Sequence, residues 1–214
     1  MPAISHQRRK ADRPDELLEA ALALFVERGF AATRMDDVAQ RAGVSKGTVY
    51  LYWPGKEELL RAVILRFLGD HLTAGAEAIA RHDGRASDLL RQTYADWWIA
   101  IIESPASGVF KLMLAEARNF PEIAEFYRQE VVERGLHLTR VIIERGIASG
   151  EMRDLDVEAA VYSLMLPMVM LCVHKHSIGV CAPVAGLQDI PRLIHAHVDL
   201  ILRGLLRQPV GDGY

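Results

Sequence analysis

The stretch that most constrains this 214-residue chain is a glycine between two short amphipathic runs. Asp37-Val38-Ala39-Gln40-Arg41-Ala42 comes first, then Gly43, then residues 44–56, VSKGTVYLYWPGK. Met35, Val38, Ala39 and Ala42 recur at helical spacing, and Val49 and Trp53, four apart, mark the inward face of a second helix. Gly43 stands where a tight connection needs a residue that tolerates positive φ. Ser45 is a suitable cap for the second helix, and Pro54-Gly55 ends it. With the inward positions set, Lys46, Gly47, Thr48, Tyr50 and Tyr52 remain on the outer and lateral faces. An ammonium, hydroxyls and bare backbone are the groups that meet phosphates and base edges, so the pair of helices reads as a nucleic-acid binder. Lys56, at the start of the next helix, is placed to reach a phosphate.

Upstream, a first helix begins near Pro14, buries Leu17, Ala21, Leu24 and Phe25 on one face, and closes at Arg28-Gly29. Thr33 is expected to cap the next helix, with Asp36 completing a capping-box-like start. A polar arm at 1–13 holds Arg8-Arg9-Lys10, which either lie on DNA or are solvated. Charge supports the assignment modestly. Residues 1–56 carry nine Lys/Arg against seven Asp/Glu, while the whole chain carries −3, so the excess cation is local.

The string Gly29-Phe30-x-x-Thr33 … Asp37-Val38-Ala39-x-x-Ala42-Gly43-Val44-Ser45-Lys46-Gly47-Thr48-Val49-Tyr50-x-Tyr52-Trp53-Pro54-x-Lys56-Glu57-x-Leu59 resembles the DNA-binding domain of the TetR/AcrR family of transcriptional regulators. The resemblance spans roughly residues 14–62. It implies an all-α dimer with an N-terminal three-helix helix-turn-helix domain (1–56) and a larger effector and dimerisation domain (57–214), about nine helices in all. The DNA contacts it implies are Thr33, Arg34, Ser45, Lys46, Gly47, Thr48, Tyr50, Tyr52 and Lys56. Arg34 stands where the family often has Ser or Thr, Tyr52 where it often has His, and Trp53 where it often has Phe. Residues 110–127 also resemble AcrR/AefR-like effector domains.

The remainder reads as helices throughout. A long helix to about Arg81 carries Leu60, Ile64, Phe67, Leu68 and Leu72; in the family it bridges the two domains. Trp97 and Trp98 point about 100° apart, so at most one faces straight into a cavity. Glu116 lies on an apolar stripe with Val109 and Met113, either paired with a basic residue or orienting a ligand. His71, Trp98, Phe110, Met113, Glu116, Met165 and Met168 are the candidate effector contacts, each with core packing as its alternative. An eighth helix, capped by Asp154 or Asp156, is apolar all round, which suits burial between the effector core and a second subunit, and Pro167 should kink it. A ninth, 189–207, carries Ile190, Ile194, His197, Ile201 and Leu205 on one stripe; these two helices should form the homodimer interface. Residues 208–214 read as a disordered tail.

No signal peptide is visible, and the longest apolar run, 159–173, falls short of the ~20 residues that span a bilayer, so a cytoplasmic protein without membrane contact is expected. Cys172 and Cys181 read as free thiols of a reducing compartment. His174-x-His176 and His195-x-His197 diverge by about 200° on a helix and cannot share a metal. No phosphate loop, H-E-x-x-H or nucleophile–base spacing appears, so neither an enzyme nor a cofactor is expected. The expected function is a ligand-responsive repressor binding a palindromic double-stranded operator as a dimer and released by a small hydrophobic effector. The alternative is a helical small-molecule-binding protein that binds no operator.

Overall fold

A computed structural model describes residues 13–207; the basic arm at Arg8-Arg9-Lys10 and the tail at 208–214 lie outside the described residues. Nine helices make up the described fold: α1 Arg13–Arg28, α2 Met35–Arg41, α3 Lys46–Tyr52, α4 over 56–81, α5 Ala86–Glu103, α6 Ser107–Glu116, α7 over 121–148, α8 Val157–Lys175 and α9 Ile190–Leu205. A single helical turn, Ile178–Cys181, lies between α8 and α9. Helices α4, α5 and α7 each contain a π-helical turn, at Leu65–Gly69, Leu89–Tyr94 and Arg128–Val132. Such turns are frequent at functional sites.

The small N-terminal unit forms because α1, α2, α3 and the first turns of α4 bury one shared cluster. Leu17, Phe25, Phe30, Val49, Leu59 and Ile64 are fully inaccessible. The same cluster runs without a break into the larger domain, where Leu72, Leu89, Ile102, Ile142, Leu164 and Val198 are its inward residues. Helix α6 turns 69° away from α5 and lies back on α1. There it fits closely: a Cβ on Gly108 would stand 2.6 Å from Val26 Cγ2.

Three expectations are corrected. The cap of α2 is Arg34, not Thr33, and Asp37 rather than Asp36 closes the first turn, its carboxylate accepting from Arg34 N–H at 2.9 Å. Thr33 is 1 % exposed because its hydroxyl turns inward, donating to Gly29 O at 2.8 Å. On α9 the buried stripe is Ile194, Val198, Leu202 and Leu205; His197 and Ile201 are only half-buried, His197 beside the Ser163 carbonyl. Finally, the apolar run lies within a 19-residue helix, α8, which by length and composition alone is long and apolar enough to cross a bilayer. In the fold it packs between α6, α7 and α9. Asp156 is its cap, accepting from Ala159 N–H at 3.1 Å.

Glu151, in the α7–α8 turn, secures the start of α5. Its carboxylate accepts from Ala86 N–H (2.9 Å), Ser87 N–H (3.2 Å), the Ser87 hydroxyl and Arg85 Nε (3.0 Å). These are the orphan donors of a helix N-terminus, satisfied by a residue 64 positions away. Burial works to raise this carboxyl, but the bonds from Ser87, then Arg85 and Ala86, outweigh it and hold the group below its ordinary value. The stabilisation is therefore full above the unfolded value, about 4.3, and is lost as pH falls through the folded one. Glu151→Ala should cost about 2 kcal/mol at neutral pH. The measurement is the urea midpoint, and the gap to wild type should narrow below about pH 4.

Candidate nucleic-acid interface and effector core

The helix-turn-helix is built as its residues require. Gly43 takes φ +66° between α2 and α3, and Val44 N–H returns to Ala39 O at 2.9 Å. Ser45 Oγ caps α3 by accepting from Thr48 N–H at 3.3 Å and lies 2.9 Å from the Thr48 hydroxyl. Val49 is fully buried and Trp53 half-buried, which sets the roll of α3. Arg34, Ser45, Lys46, Gly47 and Tyr50 are exposed together along one edge, with Thr48 half-buried beneath it. Tyr52 is half-buried at the flank, its ring 5.6 Å from Trp53.

One residue on this edge escaped the sequence reading, and Asp36, read there as part of a cap, has another role. Leu51 is 79 % exposed, a large apolar side chain on the outermost face of α3. The signal was present: it lies two positions from buried Val49, about 200° round the helix. Asp36 pairs with Lys46 at 2.8 Å, both side chains 59 % exposed, and that hydrogen bond and charge raise the lysine pKa. An exposed pair of this kind is weak, so a phosphate can replace the carboxylate.

Lys56 is committed elsewhere. Its ammonium donates to Phe30 O (2.7 Å), Thr33 O (3.0 Å) and Ala31 O (3.1 Å) and sits 4.5 Å from the Phe30 ring centroid. All three of its donors are used, so in this state it has none to offer a phosphate. Thr33, buried, offers none either. Both residues instead shape the 29–33 turn that leads from α1 into α2, where Gly29 takes φ +88°.

The same turn is held from its other side by the larger domain. Glu116 Oε1, at the end of α6, accepts from Phe30 N–H at 3.0 Å and Ala31 N–H at 3.4 Å. Its other oxygen accepts from Asn119 Nδ2 at 3.3 Å. Among the described residues no basic side chain pairs with this carboxylate; besides Asn119, its partners are main-chain amides of the DNA-binding unit. Phe120 packs edge-on against Phe30 at 4.7 Å, and Lys111 Nζ donates to Val26 O at 3.0 Å. Burial lowers the Lys56 pKa, and the Glu116 charge partly offsets it.

The cavity expected among Trp98, Phe110, Met113, Glu116 and Met168 is closed in this structure. Their exposures are 1, 7, 4, 8 and 0 %, which leaves no ligand-sized void between them. Apolar side chains with no guest close on one another, because an empty void forfeits dispersion contacts. Met165 is buried beside them, and Trp98 and Phe110 rings lie 6.0 Å apart. His71 is occupied at the α4–α5 joint: Nε2 lies 3.2 Å from the Ser104 hydroxyl, its carbonyl accepts from Trp97 Nε1 at 2.7 Å, and burial lowers its pKa. His176 is not a surface residue; it is half-buried, 2.8 Å from the Ser107 hydroxyl, and burial, then Lys175 and Lys111, lower its pKa. An open apolar cleft of about 350 Å³ lies between α8 and α9, lined by Met168, Met170, Leu171 and Ile194. Cys172 is buried and Cys181 exposed, both free. Among the described residues no three His, Cys, Asp or Glu side chains converge as metal ligands do.

An exposed, core-locked recognition helix joined to a larger helical body defines a helix-turn-helix DNA-binding regulator. Residues 17–63 match the family "Bacterial regulatory proteins, tetR family", and residues 86–178 match "Tetracyclin repressor-like, C-terminal domain". The chain is 31 % identical over 156 residues to the HTH-type transcriptional repressor KstR2 of Rhodococcus jostii, covering 71 % of this chain and 74 % of that one. The fold is shared with the fatty acid degradation regulator FadR of Bacillus halodurans (TM-score 0.75, 20 % identity, 91 % of this chain and 97 % of that one). It is also shared with FadR of Bacillus subtilis, solved in complex with stearoyl-CoA (TM-score 0.65, 22 % identity, 88 % and 97 %). The chain belongs to the TetR family of transcriptional regulators.

Lys46 and Lys56 should therefore behave differently on substitution. Lys46→Ala should reduce the slope of log affinity against log salt by about 0.9 per protomer and leave the melting temperature unchanged. Lys56→Ala should lower the melting temperature by several degrees, because three carbonyls lose their donor. Salt titrations of DNA binding and thermal melts of both variants test this.

Proposed function

We propose that this regulator is a repressor that binds a palindromic operator as a homodimer and lets go when a small apolar molecule enters the larger domain. The observation that carries the DNA half of this reading is the exposed edge Ser45–Lys46–Gly47–Tyr50 on a helix whose back, Val49, is fully buried. Arg34 flanks that edge, Thr48 and Tyr52 support it, and Leu51 is added as an apolar contact for a thymine methyl. Thr33 and Lys56 act on the DNA through the turn they hold. The division falls at 56/57, with α4 shared between the two units.

Dimerisation through α8 and α9 is supported by an apolar face with no partner among the described residues. Tyr162, Leu166 and Met170, four apart on α8, are 44, 59 and 60 % exposed, and Leu200 on α9 is 67 % exposed. A second copy covering this face would set two α3 edges about one DNA turn apart, ~34–36 Å. The protein acts in the cytoplasm, by binding and not by catalysis. The effector acts on the end of α6: displacing Glu116 releases the amides of Phe30 and Ala31 and lets the reading head turn.

Leu166→Glu with Met170→Glu should give a monomer by sedimentation at micromolar concentration and abolish the footprint on DNA flanking the gene. Tyr50→Ala should keep the dimer and weaken the footprint by roughly 1 kcal/mol, the worth of one hydroxyl–phosphate bond. A soluble dimer that leaves no footprint under any salt condition would instead favour a binding protein without an operator. Glu116→Ala should weaken operator binding about ten-fold with an unchanged salt slope, while Glu116→Gln, which keeps an acceptor oxygen, should retain most of it; quantitative footprinting reads both.

A further inference from the structure

The closed core of the larger domain contains two polar groups with nothing to bond. Tyr94 Oη and Trp98 Nε1 are buried, 2 and 1 % exposed, and among the described residues neither has a hydrogen-bond partner. They are four apart on α5, so they share one face of the helix. Tyr94 closes the π-helical turn Leu89–Tyr94, which is where a helix re-aims a side chain. Burial pushes the Tyr94 phenol up, and the near approach of Trp98 and then Thr139 of α7 to Oη pulls the other way, so all three adjoin, but none of these approaches reaches hydrogen-bond geometry. The Thr139 hydroxyl donates to Gly135 O at 3.1 Å and keeps its acceptor lone pairs, but Tyr94 Oη makes no hydrogen bond to it. A buried polar group without a partner is costly, and native folds keep few of them without a use.

The neighbours indicate what would fit. Met165 Cε lies 3.2 Å from where a Gly135 Cβ would stand, and Leu72 Cδ2 lies at 3.8 Å. Gly135 lies one turn before Thr139 on α7, Met165 fills the space beside it, and a methionine is the side chain most easily moved. The indole N–H only donates and the phenol can donate, so the pair is complementary to an acceptor oxygen. None of Tyr94, Trp98, Thr139, Gly135, Leu72 and Met165 is charged, so a carboxylate or phosphate buried there would lack a counter-charge.

Resting on the effector reading above, we propose that Tyr94 and Trp98 form the polar end of the effector site, and that the effector is an uncharged, mainly apolar molecule bearing a carbonyl oxygen (ketone, ester or lactone). The oxygen takes the two donors and the apolar body displaces Met165. Trp98 is in ring contact with Phe110 of α6, the helix that ends in Glu116, so the ligand meets the element that holds the reading head.

The test uses the full chain, Tyr94→Phe, and two probes of matched shape, nonan-2-one and n-nonane. Near a hundredfold excess over Kd the ketone should raise the melting temperature of wild type by about 5 °C. It should also release the footprint, while the alkane does much less. Tyr94→Phe should lose the ketone's advantage by at least ten-fold in Kd and melt within about 2 °C of wild type without ligand, since no bond is lost. Equal response to both probes, or response to neither, overturns the proposal. So does a ligand-free Tyr94→Phe that melts several degrees lower, because the hydroxyl would then be satisfied within the fold. A wild-type footprint that these probes do not release removes the subsite and leaves the regulator reading standing. A wild type with no footprint removes that reading, and the melting comparison still decides the subsite.

Discussion

The turn at residues 29–33 is gripped by opposite charges from opposite sides, and the rest of the molecule depends on that grip. Lys56 takes its carbonyls and Glu116 takes its amides. Neither charge meets the other directly; each is neutralised by the peptide groups between them. A nearly buried carboxylate needs donors, and the two amides supply them where no arginine or lysine does. Because the turn connects α1 to α2, and α2 carries α3, the roll of the recognition helix is referred to α4 through one residue and to α6 through the other. Gly108 and Lys111 add two further contacts between α6 and α1 along the same seam.

A seam of this kind can switch only if an effector binds one of its arrangements better than the other. The closed packing of Trp98, Phe110 and Met113 belongs to one arrangement. Inserting a molecule forces the second, and the differential affinity available sets how far the population moves: about 5.5 kcal/mol takes a two-state equilibrium from 1:99 to 99:1. Packed side chains repack in discrete steps and do not yield continuously, so a small intrusion at α5 reaches α6 as a displacement. The Glu116 contacts, at 3.0 and 3.4 Å, tolerate little of it before they weaken.

Local chemistry was legible in the sequence and long-range pairing was not. The glycine turn, the Ser45 cap, the buried Val49 and the nine helices follow from spacing within a few residues, and each stands as expected. The family resemblance implies DNA contacts at Thr33 and Lys56, and Lys56 also sits at a helix start, where an ammonium group often meets phosphate. Their actual partners are the carbonyls of the 29–33 turn, up to 26 residues away from Lys56, and no period encodes that. Glu116 stood out as a carboxylate on an apolar stripe, but its partners lie 85 and 86 residues back and are main-chain atoms without sequence identity. On α9 the error was one of phase. Ile194 and Leu205 are buried on the expected stripe, but Val198 and Leu202 are buried in place of the adjacent His197 and Ile201, about 100° round the helix.

The charge pattern suits the pairing proposed above. Of the six Lys/Arg between 13 and 56, Lys56 is spent on carbonyls, while Arg41 and Lys46 are paired with Glu27 and Asp36. Among the described residues, Arg13, Arg28, Arg34 and the displaceable Lys46 remain to meet phosphates, a modest share of the counterion release that sets non-specific affinity. Two heads on one rigid body roughly add their free energies, because the second binds at the effective concentration set by the first. That advantage disappears if the spacing is wrong. An effector therefore need not abolish contact at either α3; it need only turn one head against the other. A weakly cationic reading edge suits a switch that acts through geometry, since a strongly basic one would stay bound through phosphate contacts whatever the spacing.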